Sequence, residues 1–320
     1  MPAFELTSES APLTSADRRS VPARADRPFR GIVLIIGSTV FLACSDAMAK
    51  YLSLSLPSIE IAWIRFLVFA MIFLPAMLTT KPNVFRSTRP GLQVWRGVAL
   101  LSSSLFFLTG LRFLPIAAAS ATSFVAPIFV TALSIAFLSE KVGLRRWLAT
   151  IVGLFGVMII VRPGSSAFHL AAVLPIISAF GWACTLIMTR MISGRDGAIT
   201  TMAYSSVVGL IILTALVPFG WITPSWRDIF LGVCVGLAST TGQWIVVLAF
   251  RYGDASVLAP FSYSQLVWVT VLGFLIFGEI PDLWTLVGAA VIIASGLYTA
   301  HRERLRRSQL QIQAEPYPSA

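Results

Sequence analysis

Apolar positions in this chain do not alternate; they fill runs of 18 to 24 residues, separated by clusters of Pro, Gly, Arg or Asp. A run of that length has the reach of a helix crossing a bilayer, whereas an outer-membrane barrel alternates in segments of about ten residues. The pattern predicts spans at 31–52, 59–79, 92–112, 116–138, 145–162, 169–190, 199–221, 229–251, 255–278 and 283–300. The expected fold class is therefore an all-α polytopic membrane protein with ten transmembrane helices.

Composition narrows this further. With 57% hydrophobic and 12% charged residues and a mean hydropathy of +0.83, the chain lies outside the range of a soluble domain. A net charge of +10 suggests nucleic acid in a soluble protein, but here the bases sit in tails and loops, where the positive-inside rule expects them, so no nucleic-acid partner is implied. Five lie in the first 30 residues, four from Lys81 to Arg96, three from Lys141 to Arg146, and four after His301, with Arg190, Arg195 and Arg251 on the same side. Both termini are then expected to be cytoplasmic. Residues 1–30 read as a disordered cytoplasmic tail without the apolar core of a secretory signal, and 301–320 as a second tail. Cys44, Cys184 and Cys234 all fall in apolar runs, without metal-ligand spacing.

The two halves, 31–162 and 169–300, are related. Laying 112–152 over 251–291 gives eight identities in 41 positions, including Arg112/Arg251, Ser123/Ser262, Thr131/Thr270 and Glu140/Glu279. Glu140 precedes Lys141, Arg145 and Arg146, whereas Glu279 precedes Ile280, Pro281 and Asp282. One loop is basic and its twin is not, as an odd number of spans per repeat requires: five-plus-five, with the second copy inverted.

Charge inside apolar sequence needs a reason, and Asp46, Lys50, Glu60 and Arg65 cluster about the first hairpin. Asp46 and Arg65 each lie about six residues from the loop at 53–58, roughly 9 Å below one membrane face at 1.5 Å per residue. A charge near the bilayer centre costs on the order of 2.5–3.5 kcal/mol on insertion scales, so the two should face each other or a wet cavity. Asp46 and Lys50 are spaced for a helical i, i+4 pair. Two readings stay open: a four-charge clamp fixing the hairpin, or Asp46 and Arg65 touching substrate or a coupling proton.

Polar side chains mark a second region. Pro127 and Pro260 fall within spans and should bend them, freeing backbone groups. Ser120 and Ser123 lie near the first, and Tyr263, Gln265 and Trp268 near the second, with Gln243 and Trp244 in the preceding span. Amides beside aromatic faces suit a polar organic ligand, although helix packing and interhelical hydrogen bonding account for the same residues. Gly153, Gly156, Gly288 and Gly296 read as close helix contacts. The two histidines, His169 and His301, lie at span ends, and no catalytic or metal motif is present, so an enzyme, a cofactor and a metal are not expected.

The stretches LPIAAASATSFVAPIFVTALSIAFLSEKVGLRRW and ASVLAPFSYSQLVWVTVLGFLIFGEIPDLWTLVGAAVIIASGLY resemble the paired EamA domains of the drug/metabolite transporter superfamily. The resemblance implies inverted repeats around a central cavity lined mainly by the first, third, fourth, sixth, eighth and ninth helices, with the fifth and tenth peripheral. The run SDAMAKYLSLSLPSIEIAWIRF is similar to the riboflavin and S-adenosylmethionine uptake carriers. The expected function is secondary transport of a small polar or zwitterionic metabolite, leaning to uptake of a vitamin or nucleoside-like compound. Export of amino acids, their derivatives or metallophores is the alternative, and a lipid-linked sugar flippase the alternative of another class. The partners are a small-molecule metabolite and the lipid bilayer, and a homodimer is compatible with this arrangement.

Overall fold

The computed structural model describes residues 28–79, 87–138, 144–162, 170–192, 196–249, 252, 258 and 261–314, and among these residues there is no strand. The helices are α1 (Pro28–Leu52), α2 (Ser58–Thr79), α3 (Pro90–Phe113), α4 (Ile116–Ser123), α5 (Ala126–Leu138), α6 (Leu144–Val161), α7 (Val173–Ile192), α8 (Ala198–Leu216), α9 (Trp226–Ala249), α10 (Ser264–Phe277) and α11 (Leu283–Ala314). Short 3-10 turns precede α7 (Leu170–Ala172) and follow α8 (Val217–Gly220).

Among the described residues, seven helical stretches are long and apolar enough to cross a membrane: Phe29–Leu52, Ser58–Pro75, Pro90–Phe113, Ile116–Leu138, Leu170–Ile192, Ala198–Gly220 and Trp226–Ala249. The other three expected spans correspond to shorter apolar helices, Ile151–Val161, Ser264–Phe277 and Leu283–Tyr298. Glu140, Lys141, His169, Arg251 and Pro260 lie outside the described residues.

The fourth expected span is two helices, α4 and α5, parted at Phe124 and Val125. Pro127 has no N–H to bond back to Ser123, and the chain tightens there through Val125 N–H to the Thr122 carbonyl (3.2 Å) and Ile128 N–H to the Val125 carbonyl (2.9 Å). At the other extreme, α11 continues to Ala314 instead of ending near 300. Its last stretch, HRERLRRSQLQIQA, is rich in Arg, Leu and Gln and holds neither Gly nor Pro, so no residue stops the helix.

Packing joins the two halves throughout. The first helix runs along α9 and touches α10; α7 runs along α3 and touches α5; α2 packs on α8, and α6 on α11. Further contacts link α2 with α9 and α8 with α3. This pattern is unchanged when first-half helices are exchanged for their second-half counterparts in chain order. The largest apolar core lies among α1, α2, α3, α8, α9 and α10, around Leu52, Ile61, Leu108, Leu111, Leu213, Val235 and Val269.

Close approach is carried by small residues. A Cβ on Gly156 would lie 2.9 Å from the Gly288 carbonyl, and one on Gly288 2.6 Å from the Gly156 carbonyl, so α6 and α11 cross with their backbones in contact. Gly153 is less crowded, its nearest neighbours being Ile128 and Ser295 at 3.3 Å, and Gly296 leaves the space that the Tyr263 ring fills. The three cysteines are free and half-buried, and His301 is exposed.

Candidate functional site

A cavity with about 500 Å³ of empty volume lies between α2, α3, α7, α8 and α9. Helical spacing turns its wall residues inward: Arg65, Phe66 and Phe69 on α2, Arg96, Leu100 and Ser104 on α3, and Ser239, Thr240 and Gln243 on α9, with Trp182 and Met202 from α7 and α8. Both halves of the chain therefore contribute to one space. The first, fourth and ninth spans, expected in the lining, supply none of these residues, while the second and seventh do.

Two guanidinium groups enter this cavity. Arg65 makes a single long contact, from Nη1 to Ser104 Oγ at 3.5 Å. Arg96 is 6% exposed, with Nε donating to Thr189 Oγ1 (2.7 Å) and Nη1 to the Thr201 carbonyl (3.2 Å) and Ser205 Oγ. Eight residues separate Arg96 from Ser104, so along the α3 axis the two levels lie about 12 Å apart. The charge pattern had placed Arg96 among the interfacial bases. Its position in the second turn of α3, six residues after Pro90, is the signal that it reaches the interior.

The four hairpin charges do not form the expected clamp. Lys50 Nζ pairs with Glu279, donates to the Leu114 carbonyl (2.8 Å) and lies 5.2 Å from the centre of the Phe277 ring. Glu279 also accepts the Ile116 N–H (2.9 Å), so one carboxylate ties α1 to the α3–α4 link. Gly278 makes this aim possible: it takes φ +67 at the end of α10, and Glu279 N–H returns to the Gly273 carbonyl, a left-handed helix stop that favours glycine. Asp46, 7% exposed, accepts Gln265 Nε2 at 3.0 Å and interacts with Arg65 across space without forming an ion pair. Glu60 is buried, accepts the Ile222 N–H (3.2 Å) through one oxygen and leaves the other unbonded. Thus the i, i+4 spacing of Asp46 and Lys50 yields to partners in the second half, since a charge taken out of water needs a donor or a counter-charge close by.

The polar set divides. Gln243 lines the cavity. Trp244 packs on Phe73, ring centres 5.6 Å apart. Tyr263 stacks against Phe124 at 5.0 Å and lines a separate space of about 320 Å³ with Pro127, Thr131 and Gly153. Ser123 bonds within its own helix to the Ala119 carbonyl (3.0 Å), while Ser120 Oγ and Trp268 Nε1 are buried without a hydrogen-bond partner.

At the end of the bundle where α3 begins, Asp196 collects Thr88 N–H and Oγ1, Gln93 Nε2 and Ser87 Oγ. Partial burial pushes its carboxyl up, but these donors outweigh it and hold the group below the ordinary value of 3.8. Asp282, in the α10–α11 loop, is held low in the same way: burial raises it, and Thr285 and the paired Arg162 lower it further than burial lifts it.

The family described as "EamA-like transporter family" matches residues 29–162 and, a second time, 169–299. The chain belongs to the EamA-like transporter family. Within it, the chain is 28% identical over 279 residues to the S-adenosylmethionine uptake transporter of Rickettsia felis, covering 87% of this chain and 95% of that protein. It is 29% identical over 282 residues to the riboflavin transporter of Vibrio cholerae (84% and 92% covered), and 26% identical over 267 residues to the pseudopaline exporter CntI of Pseudomonas aeruginosa (83% and 94% covered). A protein of known crystal structure shares the fold at a TM-score of 0.59 and 17% identity, covering 86% of this chain and 98% of its own. These relatives and the apolar helices make the chain a multi-span transporter of the membrane.

Proposed function

We propose that this EamA-family chain is a secondary active transporter of the bacterial inner membrane, moving a small polar or zwitterionic organic metabolite by alternating access. Ten spans form two inverted five-helix repeats, 31–162 and 169–300, with both termini cytoplasmic. The single observation that carries the reading is the cavity walled jointly by α2 and α3 of one half and α7, α8 and α9 of the other. Rocking one half against the other around such a space exposes it to each side in turn. The exchange-symmetric packing of the helices supports the repeat, and the swap of bases between the loops after Glu140 and Glu279 supports its inversion. The sequence contains no ATP-binding motif, so a substrate gradient or protons supply the driving force.

In this reading Gln243 contacts substrate directly from the cavity wall. Gln265 acts through Asp46, to which it is hydrogen-bonded. Ser120, Ser123, Trp244, Tyr263 and Trp268 belong to the moving surfaces around the cavity and engage substrate in another state of the cycle. Uptake of a vitamin or nucleoside-like metabolite such as riboflavin or S-adenosylmethionine is favoured by relatives bearing those names. Export is the second reading, favoured by the pseudopaline exporter among the same relatives. Comparison of labelled riboflavin, S-adenosylmethionine and amino-acid fluxes in cells with and without the gene tests this. Saturable gene-dependent accumulation supports uptake, faster efflux of a preloaded compound supports export, and equal fluxes for all three in both directions refute the substrate assignment.

A further inference from the structure

Among the described residues, the wall of the cavity carries two guanidinium groups and no carboxylate. Each is a permanent positive charge, and a charge held inside the membrane is retained where it meets a counter-charge. The nearest acid to Arg65 is Asp46, which lies off the lining, makes no ion pair with it and accepts Gln265 instead. Arginine has five N–H donors in a fixed fork, and Arg65 uses one of them in a 3.5 Å contact with a serine. Arg96, by contrast, is held by Thr189, Thr201 and Ser205. The cavity therefore presents an almost unengaged guanidinium beside Ser104 and a tethered one on Arg96, whose backbone lies eight residues, about 12 Å of helix, from Ser104. Phe66 and Phe69, one and four residues beyond Arg65 on α2, offer apolar surface beside it.

We infer that this cavity selects metabolites bearing an oxyanion, a carboxylate or a phosphate, which Arg65 receives as a two-pronged hydrogen-bonded pair while Phe66 and Phe69 pack the organic remainder. The inference rests on the transporter reading and narrows it, because S-adenosylmethionine carries a carboxylate and riboflavin carries no oxyanion. The forked geometry matches both oxyanions, and a charge-assisted pair discriminates by about 10- to 100-fold against a ligand that lacks the anion. Arg96 already spends its donors on Thr189, Thr201 and Ser205, so Arg65 is the guanidinium left to read the oxyanion.

Matched probes test this. Purified protein is titrated with S-adenosylmethionine and its decarboxylated analogue, and with riboflavin 5′-phosphate and riboflavin, and binding is measured separately from flux in proteoliposomes. The expected result is that, in at least one pair, the oxyanion-bearing member binds at least tenfold tighter. Arg65→Gln should erase that preference, and Arg65→Lys should restore only part of it. Preference in the first pair alone identifies a carboxylate, and in the second alone a phosphate. Equal binding within both pairs, failure of both oxyanion-bearing probes to bind, or an undiminished preference in Arg65→Gln overturns the inference, and the wild-type comparison stands even where a variant fails to fold. Tight, Arg65-dependent binding without flux would instead sink the transport reading and leave the oxyanion site standing.

Discussion

Lys50 and Glu279 offer the sharpest test of how the two halves are held. Lys50 makes two hydrogen bonds from a charged donor, to Glu279 and to the Leu114 carbonyl, and lies over the Phe277 ring. At roughly 1.5–3 kcal/mol per bond to a charged group, their loss brackets about 3–6 kcal/mol. The side chains are 11% and 24% exposed, so water reaches a stranded Glu279 and screens it. Lys50→Met should therefore fall at the lower end, about 3 kcal/mol. Glu279→Gln keeps an oxygen for the Ile116 N–H and should cost less, about 2 kcal/mol. Each single change breaks the same pair, so the double variant should be less damaged than the singles added together, by about 1–2 kcal/mol. Unfolding free energies of the four proteins in mild detergent titrated with denaturing detergent close this cycle. Additivity to within about 0.5 kcal/mol would show that the two side chains are not coupled, and the account of a cross-half tie would fall.

Three further outcomes follow from the geometry. Gly288→Ala should destabilise by about 1–3 kcal/mol, since its methyl would sit 2.6 Å from the Gly156 carbonyl, whereas Gly37→Ala, inside a helix with nothing within 4 Å, should leave the unfolding midpoint unmoved or raise it. Gln265→Ala and Asp46→Asn, at the two ends of one 3.0 Å bond, should each lower the initial rate of substrate flux in vesicles several-fold, and together no more than either alone; normal flux in both would return the pair to a structural role. Asp196 is held below 3.8 in the folded protein, so its contribution is present above that value and is lost as pH falls through the lower, folded one. Its part in stability should then be flat from pH 8 to 5. A lower melting temperature for Asp196→Asn at pH 7, converging with wild type only in strong acid, is the expected scan.

The helices and the family could be read from the chain because they depend on local quantities. Length and hydropathy of a run decide whether it spans a bilayer, and the α1–α2 hairpin appears within three residues of its expected ends. Pro127 acts on its own backbone, so the break between α4 and α5 was legible too. The similarity of the halves is a one-dimensional property, and it anticipated packing that survives their exchange. The shape of α11 was legible in principle, because His301–Ala314 has the propensity to continue a helix, but its bases had suggested a tail.

What the tertiary structure decided was which side chains meet. Lys50 is four residues from Asp46 and 229 from Glu279, and it pairs with the distant one because α1 and the end of α10 converge there. Arg96 looks like any other base near a loop until α3 and α8 bring Thr201 and Ser205 around it and turn it into the cavity. Of Gln243, Trp244, Tyr263, Gln265 and Trp268, only Gln243 lines that cavity, since the rotation of each helix about its axis is set by its neighbours. Hydropathy determines that a helix lies in the membrane; only packing against other helices determines which of its faces looks at the substrate.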